Sequence, residues 1–149
     1  MPTAIHRRVS DLRAGRDMTM LGRCASGWAV FGEKQFVKGY LLLLPDPVVP
    51  DLNALTPERR GQFLLDMSKL GDALQRVTGA VRINYAIFGN LEPALHAHVV
   101  PRYRTEPESL RTQHPWAYDW NAAPTFDAAS FAPVAKSLRQ ELAELGVLR

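Results

Sequence analysis

Two of the chain's four histidines lie in residues 89–103, which read Gly89-Asn90-Leu91-Glu92-Pro93-Ala94-Leu95-His96-Ala97-His98-Val99-Val100-Pro101-Arg102-Tyr103. The alternation of histidine with apolar residues predicts a β-strand over residues 95–103. It places His96 and His98 on one face and Ala97 and Val99 on the other. Residues two apart on a strand are separated by about 7 Å. The two imidazoles can therefore form a single site.

Such a pair of imidazoles is suited to chemistry on phosphorus. A neutral ring attacks through one nitrogen, while the other nitrogen is protonated and held by an acceptor such as a backbone carbonyl. The resulting phosphoramidate is then cleaved by water or another acceptor. Donors must surround the phosphate, and Gly89 and Asn90 can supply backbone N–H groups and a side-chain amide. We predict that both residues bind substrate, although Asn90 is equally explained by a tight turn.

Two other interpretations of the histidine pair stay open. His96 and His98 are structural residues in the first, and metal ligands in the second, because zinc and iron sites also use His-x-His pairs. A metal needs a third ligand, and the candidates are His6, His114, Glu33 and Glu92. The flanking Gly-Asn and Val-Val-Pro-Arg-Tyr favour the phosphate site, so we predict no metal ligands.

The rest of the chain predicts an α+β domain. Strands are expected at 28–31, 39–44 and 81–88, the second buried on both faces because its apolar run is continuous. A long helix is expected from the N-cap Thr56 and Pro57 to Gly79. Its apolar residues recur at helical spacing. A last helix is expected over 130–145, and strands 81–88 and 95–103 are expected to pair antiparallel.

Residues 1–149 are expected to form a single domain. Residues 1–23 contain five arginines and are predicted to be a polar N-terminal arm. Residues 104–149 are predicted to be a C-terminal extension that ends in the last helix. Its first part, residues 104–126, shows no clear periodicity.

Charge and cysteine content exclude several classes. The net charge of +3 is a small excess for a duplex DNA binder. Arg102 nevertheless lies in a group with Arg104 and Arg111 that would attract phosphate, and we predict that it binds substrate. The longest apolar run, residues 40–45, is too short to cross a bilayer, and the first residues lack an apolar signal segment. The single cysteine, Cys24, fits a reducing, cytoplasmic location.

Residues 89–103 resemble the signature of the histidine triad (HIT) superfamily, His-φ-His-φ-His-φ-φ with φ apolar. They most resemble the subgroup with a Gly-Asn turn before the motif and Pro-Arg-Tyr after it. The resemblance covers about residues 27–104, including Lys38-Gly39-Tyr40 before an apolar strand and Thr56-Pro57-Glu58 before the long helix. It implies an antiparallel sheet of about five strands and a homodimer. It also implies that His96 attacks the α-phosphate and carries the nucleotidyl group, and that His98 orients the site.

Three positions depart from the family pattern. The first histidine of the triad is replaced by Ala94, the histidine after Pro-Gly is replaced by Tyr40, and no Asn stands near Gly32. Tyr40 is expected to offer a neutral hydroxyl to the substrate. Turnover is expected to be slower than in full-triad relatives, and Ala94→His is expected to raise kcat.

The resemblance implies a nucleotide phosphate hydrolase or nucleotidyl transferase with a nucleotidyl-histidine intermediate on His96. Its substrates would be dinucleoside polyphosphates or nucleoside phosphoramidates. The alternatives are a HIT-like protein that binds nucleotide without turnover, and the metal site considered above. The mechanism requires no cofactor, although a divalent metal can accompany a polyphosphate substrate. The expected partners are a small-molecule nucleotide and a second copy of the chain, with no specific nucleic acid and no membrane.

Overall fold

A five-stranded antiparallel sheet in the order β1-β2-β3-β5-β4 forms the centre of the molecule. The computed structural model describes residues 2–149. The strands are β1 Met20–Arg23, β2 Gly27–Phe31, β3 Leu41–Pro45, β4 Arg82–Ala86 and β5 Ala97–Arg102. The helices are α1 Ala4–Arg13, α2 Pro57–Thr78, α3 Glu108–Arg111 and α4 Ala128–Glu144, with 3-10 turns at Leu52–Ala54 and Pro115–Ala117. The predicted α+β class and antiparallel sheet are confirmed.

Strand β5 carries His98, begins directly after His96, and lies inside the sheet between β3 and β4. His98 is paired with Leu42 of β3 on one side and with Ala86 of β4 on the other. All five residues of β3 are buried, which confirms the predicted burial of its apolar run on both faces. The candidate site is therefore anchored on a strand held from both sides.

Helix α2 begins and ends where its capping residues predict. The Thr56 side chain accepts a hydrogen bond from the Arg59 N–H, Pro57 is the first helical residue, and Gly79 ends the helix with a φ of 71°. The helix packs with α4 on the sheet face opposite the histidines, around a core that includes Phe63, Leu70 and Leu138. This layer supports β5 from behind.

The N-terminal residues form a packed layer and not the polar arm that was expected. Helix α1 buries Ile5, Val9 and Leu12 against Leu42 and Leu44, on the sheet face that bears the histidines. Residues 20–23 add the fifth strand at the edge of the sheet. The prediction was wrong because three apolar residues at spacings of four and three suffice for a helix face, even among arginines.

The C-terminal extension passes over the same sheet face before its last helix reaches the opposite one. Residues 108–117 contain only one short helix and one 3-10 turn, and the final helix lies at residues 128–144, close to the predicted range. Among residues 2–149, no helix is both long and apolar enough to cross a membrane.

Candidate active site

His96 lies just before β5, with its ring nitrogens in two different environments. Nδ1 is 2.7 Å from the carbonyl oxygen of Ala94. A carbonyl only accepts, so Nδ1 must carry the proton and donate it. The lone pair of the neutral ring is then on Nε2, for which no partner exists within residues 2–149. This is the tautomer that a nucleophilic imidazole requires.

His98 is held in the opposite tautomer. Its Nδ1 is 2.7 Å from the Tyr40 hydroxyl. Burial raises the pKa of Tyr40 far above its usual value, so the phenol stays protonated and donates. Burial, and secondarily the nearby His96, lower the pKa of His98 to about 4. His98 is therefore neutral near pH 7, accepts at Nδ1 and carries its proton on Nε2.

The two imidazoles are close and nearly perpendicular. Their ring centroids are 5.0 Å apart, with an interplanar angle of 74°. His96 thus presents an unprotonated nitrogen next to a neighbour whose Nε2–H can donate. A phosphoryl group between them would meet one nucleophile and one hydrogen-bond donor.

The hydroxyl of Tyr40, which was expected to be offered to the substrate, is bonded to His98 instead. Only 3% of the residue is exposed, and its hydroxyl is already used by His98. Its ring needs the space beside Gly32, where an added Cβ would lie 2.1 Å from Tyr40 Cε2. The two departures from the family pattern therefore depend on each other, because the Tyr40 ring fits only if residue 32 has no side chain.

The loop before His96 has free donors at its surface. Gly89 has a φ of 78°, whereas no non-glycine residue among 2–149 has a positive φ. The left-handed backbone of the turn therefore requires a glycine at position 89. Asn90 does not have a positive φ, so the turn does not account for this exposed residue. Backbone N–H groups of residues 89–92 have no acceptor within residues 2–149. Glu92 ties the loop to α1 by accepting from the Ala4 N–H at 2.6 Å. Phosphate binding by Gly89 and Asn90 stays a prediction.

Arg102 is a structural residue, which corrects its predicted role in substrate binding. It is 5% exposed and every part of its guanidinium is occupied. Nε and Nη2 donate to the Glu106 carboxylate at 2.9–3.1 Å, and Nη1 donates to Asn84 Oδ1 at 2.8 Å. Further bonds reach the carbonyl oxygens of Gln113 at 2.6 Å and Leu110 at 2.9 Å. Arg102 thus fastens the C-terminal extension to the end of β5.

That extension places aromatic rings over His98, a feature that the sequence did not predict. The Trp116 ring stands edge-on to His98 with centroids 4.9 Å apart, and Trp120 stacks on Trp116 at 5.3 Å. Trp120 also contacts Tyr40 edge-on at 5.4 Å. These two tryptophans form what we call the aromatic cover. The only signal in the sequence was the pair of tryptophans in an otherwise irregular stretch.

The histidine pair does not gain a third metal ligand. Within residues 2–149, no three His, Cys, Asp or Glu side chains are grouped closely enough to hold a metal ion. Two of the candidate ligands, His6 and Glu92, are hydrogen-bonded to Thr3 and to the Ala4 N–H. The donor set therefore offers two nitrogens at most.

The family model of the HIT domain matches residues 27–105, just over half of the chain. The chain belongs to the HIT domain family. Its fold is similar to that of a histidine triad protein from Marinobacter aquaeolei, with a TM-score of 0.77, 21% identity and coverage of 96% of this chain and 98% of that one. A histidine triad protein from Sinorhizobium meliloti has a TM-score of 0.72 at 22% identity, over 89% and 95% of the two chains.

A curated relative of this HIT protein is the Bis(5'-nucleosyl)-tetraphosphatase [asymmetrical] of Schizosaccharomyces pombe. The two are 27% identical over 78 residues, which are 49% of this chain. The match spans 43% of the relative, less than half of its length.

The structure changes the expectation for Ala94 in this HIT domain. Ala94 is fully buried among Tyr40 and Val100. An imidazole at this position would displace core side chains. We therefore expect Ala94→His to lose about 1–3 kcal/mol of unfolding free energy and not to raise kcat. Denaturant unfolding and initial rates measure both, with Ala94→Gly as the control for loss of the methyl group. A stable and faster Ala94→His protein would contradict this.

Tyr40→Phe is expected to release His98 into a mixture of tautomers. Loss of one hydrogen bond of about 1.4 kcal/mol corresponds to a roughly tenfold fall in kcat. The imidazole ¹⁵N shifts in NMR report the tautomer directly. Since the pKa of His98 is about 4, its ionisation should be missing from the wild-type pH–rate profile between about pH 5 and 8.

The matched control is Tyr103→Phe, which removes a hydroxyl that donates to the Lys38 carbonyl oxygen and does not contact either histidine. His98 shifts should be the same in this control as in the wild type. A single, unchanged tautomer in Tyr40→Phe would show that Tyr40 does not set the protonation of His98.

Proposed function

We propose that the chain is a nucleotide phosphate hydrolase or nucleotidyl transferase that acts through a nucleotidyl-histidine on His96. The observation that carries this proposal is the hydrogen bond from His96 Nδ1 to the Ala94 carbonyl oxygen, which leaves the Nε2 lone pair free. Membership of the HIT family and the tetraphosphatase relative support a nucleotide hydrolase in general terms.

The first step transfers the nucleotidyl group. The Nε2 lone pair of His96 attacks the α-phosphorus, and the bond from phosphorus to the leaving group breaks with its electron pair going to the leaving group. The ring becomes positively charged, so its Nδ1–H bond to Ala94 gains strength. Because His98 carries its proton on Nε2, it donates a hydrogen bond to the phosphate oxygens.

The second step returns His96 to its starting state. Water attacks the phosphorus, the P–N bond breaks with its electron pair going back to Nε2, and the water loses a proton to solvent. Backbone N–H groups of residues 89–92 supply donors for the phosphate in both steps. Another acceptor in place of water gives transfer instead of hydrolysis.

The substrates are dinucleoside polyphosphates or nucleoside phosphoramidates. The name of the Schizosaccharomyces pombe relative supports the first class. A divalent ion beside a polyphosphate substrate and a cytoplasmic location remain predictions from the sequence. A protein that binds nucleotide without turnover is the alternative, because three positions of the family pattern are altered.

Trapping the intermediate tests this proposal. Protein mixed with a substrate labelled at the α-phosphate and quenched in alkaline denaturant should carry label on a peptide containing His96. Because His98 also lies in the site, the same trapping experiment is done with His98→Ala to show which of the two histidines carries the label. Label retained in His96→Ala would assign the nucleophile elsewhere. Nucleotide bound at equilibrium without any covalent label would favour the binding protein.

We also propose that the chain forms a homodimer through the β4 edge of the sheet. Strand β4 is the last strand, with one side unpaired, and such edges associate readily. Val81 and Tyr85 at this edge are 48% and 42% exposed, and Leu65 on the adjacent α2 is 47% exposed. Light scattering at micromolar concentration should give twice the monomer mass of 16.6 kDa. A charge at the edge, Tyr85→Lys, should shift the mass towards the monomer.

A further inference from the structure

The loop between β4 and β5 is attached to the histidine pair at both of its ends. At its start, Ala86 is paired with His98 across the sheet. At its end, the carbonyl oxygen of Ala94 accepts the Nδ1–H of His96 at 2.7 Å. Residues 87–93 therefore border the space between the two imidazoles, and their position affects the geometry of any phosphate that binds there.

The middle of this loop has little packing to hold it. Leu91 is 96% exposed, and Gly89 has a φ of 78°, a backbone conformation that glycine adopts at little cost. The backbone N–H groups of residues 89–92 have no acceptor within residues 2–149. Exposed backbone with few contacts opens locally at a small cost in free energy. A specific contact is therefore needed to keep these donors in one place.

The Glu92 side chain makes such a contact. Its Oε1 accepts a hydrogen bond of 2.6 Å from the N–H of Ala4, the first residue of α1. No other hydrogen bond within residues 2–149 joins residues 88–93 to a different element. Helix α1 is itself fixed, because its apolar face, which includes Ile5, is buried on the sheet. The bond thus ties the loop to a packed part of the fold.

The nucleophile is held separately from the loop. The N–H of Leu95 donates to the carbonyl oxygen of Val49 at 2.8 Å. Because the peptide group that joins Ala94 to Leu95 is planar, this bond also fixes the carbonyl oxygen that accepts from His96. Loss of the Glu92 side chain should therefore release the loop and leave the tautomer of His96 unchanged.

We infer that Glu92 is a positioning residue, which uses its bond to α1 to hold the loop donors where the phosphate binds. This assignment rests on the proposed function, in which those N–H groups bind the phosphate. The carboxylate acts on the backbone of the loop and not on the phosphate, since its Oε1 is bonded to Ala4. It reduces the conformational freedom that the loop must lose when the phosphate binds and reacts.

Two substitutions remove this bond from opposite sides. Glu92→Ala removes the acceptor. Ala4→Pro removes only the donor, because the first position of a helix accepts proline and the preceding Thr3 is already extended, with φ −92° and ψ 176°. Each should lower kcat/KM about tenfold, as expected for loss of one hydrogen bond to a charged group. The double variant should lose no more than either single variant.

The order of the loop is measured without substrate. Backbone ¹⁵N relaxation should show residues 89–92 to be more mobile in both variants than in the wild type. The ¹⁵N shifts of the His96 ring should stay the same. Glu92→Gln keeps a side-chain oxygen as acceptor, so it should restore most of the order and most of the rate. Glu58→Ala and Ala128→Pro make the same changes at the starts of α2 and α4, behind the sheet, and should behave as the wild type.

Two results would overturn the inference. One is an ordered loop or an unchanged kcat/KM in Glu92→Ala and Ala4→Pro. The other is an additive loss in the double variant, which would show that the two groups do not act through one bond.

Failure of the proposed function would look different, because the wild type would then carry no covalent label on His96. Relaxation of residues 89–92 still tests the bond in that case, and titration calorimetry with AMP takes the place of kcat/KM. Weaker binding of AMP by Glu92→Ala and Ala4→Pro would keep Glu92 as a positioning residue for phosphate, and unchanged binding would reject it.

Discussion

His96→Ala is expected to lower the rate of nucleotide hydrolysis by several orders of magnitude. Removal of a covalent nucleophile typically has this effect, because no other group supplies the first step. His98 cannot take over: its Nδ1 is engaged by Tyr40 and its Nε2 carries the proton. Initial rates with a dinucleoside polyphosphate and with a phosphoramidate should fall together, while thermal unfolding stays close to that of the wild type.

His6→Gln is the matched control, because His6 is an exposed histidine at the start of α1 and glutamine can keep its capping contact. Its rates should equal those of the wild type. His96→Gly adds a rescue test, since free imidazole can enter the vacated space. Substantial activity of purified His96→Ala, without a contaminating hydrolase, would reject the mechanism.

Arg102→Met is expected to give the largest loss of stability, about 3–5 kcal/mol. The substitution leaves the Glu106 carboxylate, whose side chain is 5% exposed, without its cation. It also leaves the carbonyl oxygens of Leu110 and Gln113 without a donor. Denaturant unfolding measures the loss. Tryptophan emission should shift to the red, because the aromatic cover depends on this segment.

A double-mutant cycle separates a buried ion pair from simple loss of packing. Arg102→Met/Glu106→Leu should be more stable than Arg102→Met alone, because both charged groups are then removed. Arg104→Met, at an exposed arginine two residues further on, is the matched control and should have little effect. An Arg102→Met protein as stable as the control would show that Arg102 does not fasten the extension.

The contribution of Arg102 and Glu106 to stability is expected to depend on pH. Burial alone would raise the pKa of Glu106, but hydrogen bonds from Arg102 and Tyr118 hold it below its usual value of 4.5. A carboxyl with a depressed pKa stabilises the fold above that value, and the contribution is lost as the pH falls through the lower pKa of the folded state. Below this range Arg102→Met should therefore differ less from the wild type.

Local patterns were sufficient for the parts of the fold that depend on neighbouring residues. The alternation in residues 95–103 placed His96 and His98 on one face, as the structure and the pairing of β5 confirm. Thr56, Pro57 and Gly79 marked the ends of α2. Residues 1–23 were wrongly predicted to be a polar arm, because the arginines around the three apolar residues of α1 masked a short helical face. The edge strand β1 was missed too, since four residues of mixed burial show little alternation.

By itself, the sequence determined that an antiparallel α+β domain of the HIT family carries two histidines side by side. Only the tertiary structure decided what their neighbours do. Tyr40 is hydrogen-bonded to His98, although the two are 58 positions apart in the sequence. The guanidinium of Arg102 donates all of its hydrogen bonds to carbonyl and carboxylate oxygens of the C-terminal extension and to Asn84. The physical reason is that burial and hydrogen-bond partners set a side chain's protonation and availability, and these come from residues distant in sequence.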